Sequence, residues 1–104
     1  MLRLCRVATE LDEVNQLLRS GTSIGANVRE GLYAQSRKDF ISKLNIALKE
    51  SGETDYWLDV IHSAEYFTDD EFNSLKADND ELLRLLISII KKTKDNSEQI
   101  TVDS

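Results

Sequence analysis

The sequence predicts an all-α fold, an antiparallel up-down bundle of long helices. Apolar and small residues recur in steps of three and four through three separate stretches, the period of helices packed on helices. Two stretches open on helix-start signals, and no segment alternates as a strand would. The 104 residues include no proline and only four glycines, so little interrupts these runs.

The first stretch spans residues 4–32. Leu4, Val7, Leu11, Val14, Leu18, Gly21, Gly25, Val28 and Leu32 form its seam, and "RSGTSIGANVREG" continues that register as helix. A break is expected at "GLYAQS", where Gly31 ends one helix and Ser36 opens the next. Ser36-Arg37-Lys38-Asp39 resembles a capping box with Asp39 in the usual Glu position. Phe40, Leu44, Ala47, Ser51, Thr54, Leu58 and Ile61 then share one stripe, flanked by Ile41 and Leu48, to about Glu65. In "YFTDDEF", Thr68 reads as an N-cap, Glu71 as its partner, and Phe67 with Phe72 as the ends of a hydrophobic staple. Phe72, Leu75, Leu82, Leu86 and Ile89 or Ile90 face inward on a third helix ending near 91–94, where lysines suit the negative end of the helix dipole. Leu83, Leu85 and Ile87 fall outside that stripe, which points to cover by further helices or another subunit. Residues 1–94 form one domain, and 95–104 are expected to be a frayed, disordered tail.

The formal charge of −6 argues against general nucleic-acid binding. Cys5 is the only cysteine, so no internal disulfide forms. The run "LLRLLISII" is far below the roughly 20 residues of a membrane span, and the start lacks a signal-peptide core. The expectation is a cytoplasmic protein with no membrane association.

A phosphate loop needs a preceding strand and G-x-x-x-x-G-K-[ST] or G-x-G-x-x-G spacing. Gly21 and Gly25 instead sit four apart on one helical face, where a neighbouring helix can pack closely. Arg19, Ser23, Asn27 and Glu30 align on the same helix, and Lys43, Glu50, Glu53 and Trp57 on the second. Spacing leaves two readings: an interhelical polar network, or solvated surface charges. Asp59 and His62 supply only one approximate copy of the two Glu-x-x-His motifs of a di-iron bundle, and His62 is the only histidine. Cys5 has no activating base. No metal, cofactor or catalytic residues are therefore assigned. Charge is uneven. Between 26 and 49, Arg29, Arg37, Lys38, Lys43 and Lys49 oppose Glu30 and Asp39, whereas between 50 and 82 eleven carboxylates oppose Lys76 alone.

"QLLRSGTSIGANVREG", "QSRKDFISKLNIALKESGETDYWLDVI" and "DELLRLLISIIKKTK" resemble the bacterial four-helix-bundle proteins also known as 23S rRNA-intervening sequence proteins. The resemblance covers roughly residues 14–94. It implies an up-down four-helix bundle assembled as a homo-oligomeric ring, with pentamers expected, and brings no catalytic residues. Arg19, Ser20, Ser23, Asn27 and Glu30 match its first motif; Phe40, Lys43, Ala47, Glu50, Glu53 and Trp57 match its second, which favours the network reading. The family has a long helix before the first motif, where this sequence has residues 1–13, so that helix is expected to be missing, shortened or fused into the next. A related branch, the accessory proteins of diversity-generating retroelements, binds nucleic acid and a reverse transcriptase but is strongly basic. The expected function is a non-catalytic oligomeric scaffold or adaptor with itself, and a further protein, as partners. The alternative is a nucleic-acid-binding accessory, possible at Arg29, Arg37 and Lys38 although net charge disfavours it.

Overall fold

The computed structural model describes the backbone of residues 2–103 and the side chains of residues 12–96. It contains three helices in chain order, α1 (Leu2–Leu32), α2 (Arg37–Ser63) and α3 (Asp69–Asp103), and no strand among the described residues. Helix α2 is central. α1 packs on one side of it and α3 on another, without comparable packing between α1 and α3.

Both connections form by local chemistry that the letters announce. Ser36 adopts an extended backbone and its Oγ accepts from the Asp39 N–H at 3.1 Å, starting α2. At α3, the Glu71 N–H donates to Thr68 Oγ1 at 3.1 Å while the Thr68 N–H donates to Glu71 Oε1 at 3.0 Å, a complete capping box. The close of α2 is less legible. Tyr66 N–H reaches Ile61 O and Glu65 N–H reaches His62 O, which satisfies two terminal carbonyls but requires Glu65 at φ 66°. A glutamate holds the left-handed position that glycine ordinarily takes.

On α2 the buried residues are Leu44, Ala47, Ser51, Thr54, Leu58 and Ile61, the stripe that spacing predicts. Leu44 and Ala47 meet Ile24 of α1 and Leu86 and Ile90 of α3 in the core. The seam of α1 differs from expectation. Ser20, Ile24 and Gly31 are buried, whereas Leu18, Gly21, Gly25 and Leu32 are exposed. Leu4, Val7 and Leu11 lie outside the described side chains. A step of three and four matches two adjacent registers on α1, and the choice fell to the one that places Ser20 against Thr54. The close packing assigned to Gly21 and Gly25 is accordingly not made among the described residues, where a Cβ at either position would meet no neighbouring atom within 4 Å. The near approach is at Gly31, where a Cβ would lie 3.5 Å from Lys43 Cβ, ordinary van der Waals contact.

Helix α3 is assigned to Asp103, past the boundary expected at 91–94. No proline or glycine follows Lys94 to stop it. The disordered tail expected over 95–104 falls mostly on residues whose side chains lie outside those described.

Two stability measurements follow from these contacts. Replacing Asn79, whose buried amide bonds α2, with alanine is expected to lower the unfolding free energy by about 1–3 kcal/mol in denaturant titrations, the cost of stranding a buried hydroxyl. Glu65→Gly is expected to raise it by about 1 kcal/mol, because the left-handed conformation no longer opposes a Cβ.

Candidate interhelical network and open groove

The polar residues of the bundle fall into two sets. One is buried and neutral. Thr54 Oγ1 donates to Ser20 Oγ at 2.9 Å, joining α2 to α1, and Ser20 Oγ donates to Leu17 O at 3.1 Å. On the opposite flank of α2, Ser51 Oγ donates to Asn79 Oδ1 at 3.0 Å, and Asn79 Nδ2 returns a bond to Ser51 O at 3.0 Å. Among the described residues, no buried side-chain polar atom lacks a partner. The Ser51–Asn79 pair sets the height of α3 against α2, since sliding would strand the buried amide, whereas the Thr54 hydroxyl also reaches Glu50 O of its own helix at 2.9 Å. Sequence reasoning placed Ser51 and Thr54 on the buried stripe but passed over Asn79, which occupies the position between Leu75 and Leu82 where the apolar steps skip a turn. That skip was the available signal.

The other set is charged and partly exposed. Arg19 Nη2 lies 2.6 Å from Glu53 Oε2, and Nη1 lies 3.3 Å from Glu50 Oε2. Arg19 is half exposed while the Glu50 side chain is only 12 % exposed, so the guanidinium lids a carboxylate that is mostly out of water. Lys43 Nζ meets Glu30 Oε2 at 2.8 Å. Ser23 and Asn27 bond each other within α1, with Asn27 Nδ2 also donating to Ser23 O at 2.8 Å. Trp57 is not joined to these groups; it sits edge-on to Tyr56 with ring centroids 4.9 Å apart. The structure thus brings together Arg19 with Glu50 and Glu53, and Glu30 with Lys43, as two separate clusters.

Their electrostatics follow from contact. The hydrogen bond from Arg19 holds the Glu53 carboxyl below its ordinary range, against a smaller opposing effect of burial. The bond to Glu53 raises the Arg19 guanidinium, and Glu30 raises the Lys43 ammonium in the same way. On α3, burial pushes Lys76 down, but its ion pairs with Asp55 and Asp59 outweigh this and leave it raised. His62 Nε2 lies 2.8 Å from Asp69 Oδ1, and the ring stacks on Phe72 at 3.8 Å. Among the described residues no three His, Cys, Asp or Glu side chains are grouped to hold a metal ion.

Between α1 and α3, beside the core that Ile24 shares with Leu86 and Ile90, lies an open groove of about 390 Å³. Leu17, Leu18 and Gly21 form one wall, Leu75, Asp78 and Leu82 the other, and Thr54 with Leu58 lies at its base. Leu18 is 58 % exposed there and Leu75 39 %. Among the described residues, no helix is long and apolar enough to cross a membrane.

The sequence profile of the 23S rRNA-intervening sequence proteins matches residues 5–88. The chain belongs to this family. A crystal structure of a protein of unknown function from the S23 ribosomal protein family, from Bacteroides thetaiotaomicron, is 58 % identical. That likeness covers 76 % of this chain and 70 % of the other, with a TM-score of 0.74. No curated protein matches. For this member of the intervening-sequence family the comparisons supply a fold and a family, while the chemistry rests on the residues above.

Because Glu53 is held below its ordinary value, it contributes stability above the unfolded carboxylate pKa, and this is lost as pH falls through the lower folded value. Glu53→Gln is therefore expected to be less stable than the parent at pH 7. The difference should shrink below about pH 4.3 and vanish at lower pH in paired denaturant titrations.

Proposed function

We propose that this protein is a non-catalytic, cytoplasmic scaffold or adaptor that works as a homo-oligomer. The observation that carries this reading is the open groove between α1 and α3. A bundle whose described buried polar atoms are all satisfied leaves its leucines unburied on one side, the pattern of a surface that another helix covers. Filling that groove would complete a four-helix arrangement, in keeping with the bundle implied by the family. The polar residues support the same reading, since the charges that meet do so as ion pairs between helices rather than converging on a cavity as a base, an orienting group and an anion-stabilising site would.

A second reading has its own observation. The antiparallel course of α3 brings Lys91 and Lys94 beside Asn45, on the part of α2 that carries Lys38 and Lys49. With exposed Arg29 and Arg37 near the α1–α2 turn, this end is more basic than any single stretch of sequence suggests. Such an end suits phosphate contacts by a nucleic-acid accessory, a role in keeping with the family's name.

Absolute mass in solution, with absorbance at 260 nm against 280 nm, tests both. The scaffold reading expects a discrete multiple of the 11.8 kDa chain with a protein-like ratio. A monomer at all concentrations would overturn it. Co-purified nucleic acid released steeply with salt would favour the second reading.

A further inference from the structure

A second concave surface runs along α2 and α3, and none of its residues lines the α1–α3 groove. A hollow of about 440 Å³ follows Lys38, Ile41, Asn45, Ile46 and Lys49, which step along one face of α2. At Asn45 it continues into a cleft of about 330 Å³, where Leu48 of α2 lies beside Ile87 and Ile90 of α3. Ile46 is 39 % exposed and Ile87 46 %, so the furrow has an apolar floor that the chain leaves uncovered. From Lys38 to Lys49 it is about 17 Å long, roughly three turns of helix.

Its rim is cationic. Lys38 and Lys49 stand exposed on the α2 side, Lys91 and Lys94 on the α3 side. Asp95 is the one carboxylate among the lining residues. Among the described residues, the lysines that form ion pairs are Lys43 and Lys76, so these four turn their charge to solvent. Lys49 does lower the Glu53 carboxyl, but without pairing with it. A chain of net charge −6 thus gathers four unpaired ammonium groups around half-exposed isoleucines.

Three kinds of anionic partner suit such a rim, and the floor chooses between them. A nucleic-acid backbone offers nothing apolar to Ile46 and Ile87. The lining also holds neither an aromatic ring for a base to stack on nor an arginine. A bilayer is flat on this scale, whereas the surface is a furrow between two rods. An amphipathic helix meets both requirements: its apolar stripe fills the furrow, and carboxylates on its flanks reach the lysines.

We infer that the α2–α3 furrow docks an amphipathic helix of a partner protein, one whose apolar stripe is flanked by glutamates or aspartates. This rests on the adaptor reading and names the chemistry of the further protein. The homo-oligomer reading stands apart from it, since that reading is carried by the α1–α3 groove.

The test is fluorescence anisotropy with a labelled amphipathic peptide of about 20 residues, long enough to hold a helix. Its leucines step by three and four and glutamates flank them. The full chain is titrated into this peptide, into a lysine-flanked counterpart and into labelled single-stranded and duplex RNA; co-sedimentation with anionic vesicles completes the set. Saturable binding of the glutamate-flanked peptide alone is expected. Lys49→Glu and Lys91→Glu are each expected to weaken it about tenfold, the size of one close charge pair across an interface. Ile87→Glu is expected to abolish it, with helicity by circular dichroism unchanged. Lys92→Glu, the same charge change outside the furrow, is expected to leave it unaltered. Preference for RNA or for vesicles overturns the inference, as does peptide binding indifferent to the Lys49, Lys91 and Ile87 variants. Absence of peptide binding overturns it too; a subunit number that then changes on Ile87→Glu assigns the furrow to contact between copies and leaves the oligomer reading standing. A monomeric parent that binds the peptide as expected supports the inference and overturns the oligomer reading alone.

Discussion

Helix α2 has to be covered on two sides at once, and the small polar residues on its buried stripe decide how. Ser51 and Thr54 lose hydrogen bonds to water when buried against hydrocarbon, so each needs a partner, and Thr54 has one in Glu50 O of its own helix besides the one it finds across the interface. Ser20 of α1 meets Thr54, and Asn79 of α3 meets Ser51. Leucine contacts alone would tolerate a shift of α3 by a turn; the Asn79–Ser51 bonds do not, because a shifted α3 leaves the Asn79 amide unpaired in a dry interface.

The charged clusters and the groove depend on that setting. With Ser20 opposite Thr54, Arg19 falls within reach of Glu50 and Glu53, and further along Glu30 falls opposite Lys43. With Asn79 opposite Ser51, Lys76 reaches Asp55 and Asp59. The same registers turn Leu18, Gly21 and Leu75 away from α2 and leave them around an apolar opening. The apolar opening thus arises as the remainder of an interior problem: the side of α1 that buries Ser20 is not the side that carries Leu18, Gly21, Gly25 and Leu32 of its regular seam.

That tension explains where sequence reasoning succeeded. The stripe of α2 was legible because one set of positions is small or apolar throughout, and the capping signals at Ser36 and Thr68 were legible because a cap is made by residues three apart in the chain. The ion pairs were half legible: spacing could align Arg19, Glu50 and Glu53 on facing strips but could not say that the strips meet. Trp57, on the same strip, turned elsewhere. Asn79 was missed because a polar residue inside an apolar pattern reads as a gap unless its partner is known. Glu65 gave no warning of its left-handed backbone, since the position is set by how α2 must end rather than by any preference of glutamate.

What the letters determined without help is whatever depends on neighbours in the chain: three helices, the starts of α2 and α3, and the inward stripe of α2. Local periodicity and capping are short-range effects, and they act before any helix meets another. The tertiary structure alone decided which of two registers α1 buries, that Gly21 and Gly25 meet no described side chain, and that the acidic part of α3 lies against the acidic part of α2. Those outcomes turn on the pairing of buried hydroxyls and amides across tens of residues. No local rule contains such a pairing, because the free energy of a buried polar group is fixed by the atom that finally stands opposite it.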